Sequence, residues 1–279
     1  MKANVIIIGG GIVGSSVAYH LARTGQAGDI CVIERDPSYE FAATPRSNGG
    51  IRRLFSRRQN IEMAQYGLDF YARFSTDMEV ADGPVDIAFR HFGYLFLSDA
   101  GGARQMERNF VQQRDMGVDV QALTAAEVSE RYPSVSGDGI ELAVLSAHDA
   151  WIDPHAALMG FKAKARSLGV RYLTGEVTAL KRDGPAVRVA NLADGRSATA
   201  DVFVNATGAW CASLVATIGL ELPVQPMSRE SFFWRSAQPI EPLPFIKTET
   251  DLAFRPDAGG FVGGVPDWQA TPGWNFDIS

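Results

Sequence analysis

Gly9-Gly10-Gly11-Ile12-Val13-Gly14 places glycines at the first, third and sixth positions of one short run. Such spacing carries chemistry when it joins a buried strand to a helix, because a phosphate can then sit against backbone N–H groups with no side chain in the way. Gly9 permits the tight turn, Gly11 removes the Cβ that would block a pyrophosphate, and Gly14 lets the helix pack closely on the strand. Ile12 and Val13 open that helix, whose free N–H groups and partial positive charge face the anion. Glu34 follows Gly14 by twenty residues. A carboxylate there accepts hydrogen bonds from ribose hydroxyls and repels a 2′-phosphate, which disfavours NADP. The bland alternative is a glycine-rich turn with an unrelated surface glutamate, and the order strand, turn, helix, strand, acid argues against it. The fingerprint alone does not separate NAD from FAD.

The elements around these residues have the required pattern. Val5 to Ile8 is a short apolar run rich in β-branched residues, as in a parallel strand covered on both faces. Ile12, Val13, Ser16, Val17, His20 and Leu21 fall near helical spacing, and 29–34 gives a second strand. Further along, 60–74 and 103–116 read as helices and 91–97 as a strand. Thr124 and Glu127 fit a capping box, and Asp153 with Pro154 suit the start of a helix that Gly169 closes. Short strands are expected at 170–173, 177–180, 187–190 and 202–205, the last running into Ala206-Thr207-Gly208 and a helix from Ala209. From Leu222 onward prolines punctuate short β-like runs, which marks a second, sheet-based region.

Composition narrows the function classes. The chain has 279 residues, 46% of them apolar and 21% charged, with a formal net charge of −6, so a folded protein without general affinity for nucleic acid is expected. Its apolar runs are far shorter than the ~20 residues that span a bilayer, and the N-terminus reads as a cytoplasmic-type start with no cleavage site. Cys31 and Cys211 each sit in an apolar run and read as packed thiols. The four histidines are scattered, and no metal-ligand spacing is present.

Val5 to Arg35, taken with Arg46-Ser47-Asn48-Gly49-Gly50-Ile51-Arg52-Arg53, resembles the D-amino acid oxidase superfamily of flavoproteins, in particular its sarcosine oxidase, dimethylglycine dehydrogenase and glycine oxidase branch. Ser47, Asn48, Gly49, Gly50 and Arg52 match that family's loop across the pyrophosphate and flavin ring. The run 149–154 resembles the family's segment between the substrate region and the returning FAD domain, and Gly175-Glu176-Val177 and Asn205-Ala206-Thr207-Gly208-Ala209-Trp210 resemble the strand facing adenine and the turn beside the cofactor. The resemblance implies an α/β chain: a Rossmann-like FAD-binding domain of the GR2 type and a second, mixed β-sheet substrate domain. It implies a discontinuous FAD domain over 1–85 and 145–215, with the substrate domain over 86–144 and 216–279. It implies FAD, bound non-covalently, held by Gly9, Gly11, Ile12, Val13, Gly14, Glu34, Arg35, Ser47, Asn48, Gly49, Gly50, Val177, Ala206, Thr207, Gly208 and Trp210.

The implied reaction is oxidation of the C–N bond of a small amino acid or N-methylated amino acid by hydride transfer to flavin. Arg46, Arg52, Arg53, Arg57 and Arg58 cluster in an otherwise acidic chain and could face the pyrophosphate, a reduced flavin or a substrate carboxylate; Arg57 and Arg58 suit a solvated helix start equally well. Arg52, Arg229 and Phe261 are the candidate catalytic residues, and Arg255 is a further candidate on the substrate side. The run Gly259 to Gly264 lacks a following helix, so it reads as a hairpin above the flavin rather than a second fingerprint. Family members extend further at their C-terminal end, so a missing C-terminal segment or a partner chain is expected to complete the site. The alternatives are a hydroxy-acid oxidoreductase on the same scaffold and a non-catalytic flavoprotein subunit or assembly factor.

Overall fold

A computed structural model of the protein describes residues 1–276. One sheet has six strands, in spatial order Arg171–Thr174, Ile30–Glu34, Lys2–Ile8, Ser197–Asn205, Ala186–Leu192 and Val177–Asp183. The first four are mutually parallel and the last three form an antiparallel meander. Arg171–Thr174 and Val177–Asp183 are consecutive in the chain yet lie at opposite edges. At that exit Gly175 lies close against Leu192, whose Cδ2 a Cβ there would meet at 2.6 Å.

Lys2–Ile8 is buried on both faces because its alternate side chains serve two cores. Val5 and Ile7 pack with Val32 towards the helices Ile12–Thr24 and Pro154–Ser167. Ile6 and Ile8 pack with Cys31 and Ile33 towards the meander. Asp153 caps the second helix, its carboxylate accepting the N–H groups of His155 and Ala156, with Pro154 in the first turn as the sequence suggested. The two helices meet around Phe161, which is 2% exposed, lies 5.7 Å from the Phe70 ring at 6°, and meets Phe74 edge-on at 5.0 Å. Phe161→Ala is expected to cost about 3–5 kcal/mol, because so enclosed a site cannot collapse around the missing ring. Chemical denaturation checks this; a loss under about 1 kcal/mol would mean that the cluster is not a packed core.

The second sheet has seven strands, in order Phe232–Trp234, Gly260–Gly264, Ala253–Asp257, Phe245–Thr248, Tyr94–Ser98, Leu142–Ser146 and Gln121–Leu123. Phe245–Thr248 pairs parallel to Tyr94–Ser98 and every other pairing is antiparallel, so the sheet is mixed as expected. Ala253–Asp257 and Gly260–Gly264 form the hairpin expected of the glycine run. At the sheet edge Phe232, Phe233 and Trp234 are all exposed.

Boundaries moved where tertiary contacts override local pattern. The strand expected at 91–97 begins only at Tyr94, after Gly93 at φ +78°. The helix expected over 60–74 runs Arg58–Ala72 and is followed by a separate turn, Phe74–Asp77. Gly50–Ile51 forms a two-residue ladder with Ala150–Trp151 that no periodicity announces. Cys31 is buried, and burial pushes its thiol up, whereas Cys211 is only half-buried; neither is in a disulfide. No helix among the described residues is long and apolar enough to cross a membrane.

Candidate functional site: a dinucleotide-sized cavity

The glycine run does in the structure what its spacing suggests. Gly9 takes φ +97°, and a Cβ on it would collide with the Ala206 carbonyl; a Cβ on Gly14 would collide with the Gly9 carbonyl. Those two glycines are therefore required by the chain itself. Gly11 is not: a Cβ there would meet only Thr44 Oγ1, at 3.5 Å. The helix it opens has neither a side-chain cap nor an acidic residue in its first turn, and Thr44 Oγ1 accepts the Ile12 N–H at 3.2 Å. A helix N-terminus without a cap of its own, behind a glycine with free space before it, is the cradle an anionic diphosphate needs.

This turn lies on the wall of a cavity of about 1970 Å³. That exceeds the roughly 300–1,000 Å³ of an ordinary one-ligand pocket, and so accommodates a dinucleotide together with a small substrate. Of the residues proposed for the cofactor, Gly9, Gly11, Ile12, Val13, Glu34, Arg35, Ser47, Asn48, Val177, Ala206, Thr207, Gly208 and Trp210 line it. Gly14, Gly49 and Gly50 stand behind the wall and shape it. A side chain on Gly49 would strike the Ile152 carbonyl, and one on Gly50 the Tyr94 hydroxyl.

Glu34 is braced rather than loose. Its Oε2 accepts the Gly10 N–H at 2.6 Å and its Oε1 accepts the Asp36 N–H at 2.9 Å. An ionised carboxylate has lone pairs for further donors, so these bonds aim the group without exhausting it. Ser15 Oγ donates to the Gly10 carbonyl at 2.8 Å and Tyr172 Oη to Ser15 Oγ at 3.1 Å, which fixes the turn from behind. The wall next to the glycine turn is set by Asn205, whose Oδ1 accepts from Thr207 N and Oγ1 and holds the Ala206-Thr207-Gly208 turn. Beyond it the Arg35 guanidinium lies 3.7 Å from the centre of the Trp210 ring, and Trp274 stacks on the same indole at 4.9 Å.

The candidate catalytic residues separate. Phe261 and Arg229 are on the cavity wall, Phe261 buried and Arg229 exposed with its guanidinium 4.6 Å from the Trp268 ring. Arg52 is not among the lining residues. Its guanidinium lies 4.6 Å from the Phe55 ring and 5.7 Å from Phe96, and its buried Nε has no hydrogen-bond partner. Arg53, the next residue, makes a buried ion pair with Asp149: Nε to Oδ1 at 2.7 Å and the backbone N–H to Oδ2 at 2.8 Å. Burial pushes the Asp149 carboxyl up, and the hydrogen bonds from Arg53 oppose that rise.

Sequence reasoning passed over Thr44, the ion pair of Asp149 with Arg53, and the side-chain bond from Arg255 to the Asn48 carbonyl. Arg255 lines the cavity at 8% exposure and donates from Nε to the Asn48 carbonyl at 2.7 Å. No local pattern marks any of these, since each partner lies far away in the chain.

A parallel sheet with a glycine turn against a helix N-terminus, a meander across it, and a mixed sheet closing a cavity beyond it define a dinucleotide-binding oxidoreductase of the two-sheet flavoprotein type. The chain belongs to the DAO family of FAD-dependent oxidoreductases, which matches residues 4–277. FAD-dependent oxidoreductase domain-containing protein 1 of Xenopus laevis is 33% identical over 82% of this chain and 52% of its own. The 4-methylaminobutanoate oxidase (formaldehyde-forming) of Paenarthrobacter nicotinovorans is 27% identical over 95% of this chain and 34% of its own. Among solved structures, L-proline dehydrogenase from P. horikoshii superposes with a TM-score of 0.82 at 25% identity, over 98% of this chain and 73% of that one. The chain thus spans about half the length of the first of these relatives and a third of the second.

Proposed function

We propose that this chain binds FAD non-covalently and oxidises the C–N bond of a small amino acid or N-methylated amino acid. The observation that carries the cofactor half of this reading is Gly11. Neither the fold nor the packing of the chain requires that glycine, and it fronts a helix N-terminus without a cap of its own on the 1970 Å³ cavity. Glu34 would take the ribose hydroxyls, Gly11, Ile12 and Val13 the diphosphate, and the Ser47–Gly50 loop and the Ala206–Gly208 turn the remainder of the cofactor. Bound there, FAD supplies a two-electron acceptor for the carbon next to an amine nitrogen.

The substrate half rests on a further set of cavity-lining residues. Phe92, Trp151 and Phe261 offer apolar surface, with the exposed Arg90 and Arg229 as the cations of that side. An aromatic enclosure keeps water from the reacting carbon, and positive charge suits a substrate that carries a carboxylate. Two relatives are named for secondary amines with a carboxylate, 4-methylaminobutanoate and L-proline, which supports the same class here. Two unpaired cysteines fit the reducing cytoplasm as the place of work. A second chain or further residues completing the site would meet the exposed aromatic edge at Phe232, Phe233 and Trp234.

The test is direct. Purified protein reconstituted with FAD and mixed anaerobically with sarcosine, dimethylglycine, glycine or L-proline is expected to bleach in the visible with at least one of them. Flavin that binds but stays oxidised with every amine, while a hydroxy acid bleaches it, would replace the amine reading with hydroxy-acid oxidation.

A further inference from the structure

Five arginines line the cavity: Arg35, Arg46, Arg90, Arg229 and Arg255. Four of them are exposed. Arg46 Nε donates to the Glu40 carbonyl, Arg90 to the carbonyl of Phe89 and Arg229 to that of Ser228, while Arg35 lies on Trp210. Arg255 differs, being only 8% exposed. Enclosing a guanidinium is costly unless fixed acceptors surround it. Arg255 Nη1 has the Pro256 carbonyl at 2.9 Å and Asp257 Oδ1 at 2.8 Å, both of which a surface arginine on this strand could reach as well. What burial adds is the Nε bond to the Asn48 carbonyl, across 207 positions of sequence and between the mixed sheet and the Ser47–Gly50 loop.

That loop is held from its other side too. The Gly49 carbonyl accepts the Ile152 N–H at 3.0 Å, Gly50 pairs with Trp151, and Gly50 abuts the Tyr94 hydroxyl. The Arg255 guanidinium also stands 5.8 Å from the centre of the Trp151 ring, within cation–π range of the ladder that supports the loop. A planar guanidinium fixes both the length and the direction of such a link, which a flexible ammonium does not.

We propose that Arg255 is a positioning residue: through the Asn48 carbonyl it sets the gap between the Ser47–Gly50 loop and the mixed sheet, and so the approach of substrate carbon to flavin. This rests on the amine-oxidation reading above. Hydride transfer is steep in distance, and a misplacement near 1 Å is worth about 100-fold in rate. Arg255 then controls the rate of the reductive step without holding substrate or cofactor by contact.

The experiment is anaerobic stopped-flow reduction of the FAD-loaded full chain, wild type against Arg255→Met and Arg255→Lys, with the apparent dissociation constants for amine and FAD taken from the same data. Arg255→Met is expected to lower the limiting reduction rate about 100-fold and Arg255→Lys about tenfold, since lysine keeps one donor for Asn48, with both dissociation constants within about threefold. Arg255→Lys retains a buried cation beside Asp257 and serves where the methionine variant does not fold. An unchanged limiting rate with weakened binding only of carboxylate-bearing amines would overturn the proposal and make Arg255 a substrate contact. Loss of FAD in step with thermal stability would overturn it in favour of a purely structural part. Wild-type flavin that no amine reduces sinks the proposed reaction instead, and Arg255 is then judged on the bound flavin alone: a changed visible circular dichroism spectrum in both variants supports the link, and identical spectra overturn it.

Discussion

Gly11→Asp is expected to give a chain at least as stable as the wild type that no longer retains FAD. The two effects have opposite signs because one position serves two purposes. Gly11 is the N-cap of the helix Ile12–Thr24, at φ −60° and ψ −177°, a conformation aspartate adopts without strain. The first turn has no side-chain cap and no acid, so an aspartate there supplies both, worth about 0.5–1 kcal/mol to the fold. Its Cβ meets nothing closer than Thr44 Oγ1 at 3.5 Å, so packing does not cancel the gain. For a diphosphate the same carboxylate is a like charge in the cradle, satisfied by the N–H groups the phosphates need. A loss of at least 100-fold in FAD affinity, about 2.7 kcal/mol, is expected. Thermal melts of apo-protein and flavin fluorescence titrations on the same preparation measure both halves. If Gly11→Asp bound FAD like the wild type, the diphosphate would lie elsewhere and the cofactor assignment would fall.

This double use explains why the cofactor end was legible in the residues. A phosphate cradle is built from contiguous chain, so strand, turn, helix and the acid at the end of the next strand fall within the first thirty-four residues, and each leaves a local mark. The parallel strands were readable for the same reason, their burial on two faces showing as unbroken apolar runs. Glu34 was found by position, while its bracing by Gly10 and Asp36 depends on where the turn closes in space.

The substrate end is assembled from segments far apart, and there the sequence carries less. Arg52 and Arg53 are neighbours of one residue type, and nothing in composition says which of them turns inward. A segment leaving a two-residue ladder can start in either phase, and successive side chains point to opposite sides. The structure sends Arg53 to Asp149 and leaves Arg52 against Phe55 and Phe96. The phase was set by Trp151 and Ala150 pairing with Gly50 and Ile51, a contact across about a hundred positions. Arg255 was visible as a candidate only by its charge. Its bond to Asn48 crosses twice that separation and has no periodicity to betray it.

Asp149→Ala is expected to destabilise the fold by about 3–5 kcal/mol, whatever its effect on chemistry. Asp149 is fully enclosed, and the Arg53 side chain is 11% exposed. Removing the carboxylate leaves a guanidinium in the interior with only Ser146 Oγ at 3.4 Å, and strands the Arg53 N–H that Asp149 Oδ2 had accepted. The penalty is the desolvation of what remains rather than the attraction lost, which makes a second variant informative. Arg53→Met with Asp149→Asn removes both charges and keeps an amide oxygen for the backbone N–H, so it is expected to recover at least half of the loss. For a chain of this length the single variant corresponds to a fall of roughly 6–20 °C in Tm, read by calorimetry on apo-protein. If the double variant were as unstable as Asp149→Ala, the uncompensated charge would not be the cause. The orientation of the backbone at Arg53, and through it the Ser47–Gly50 loop, would then depend on the carboxylate itself.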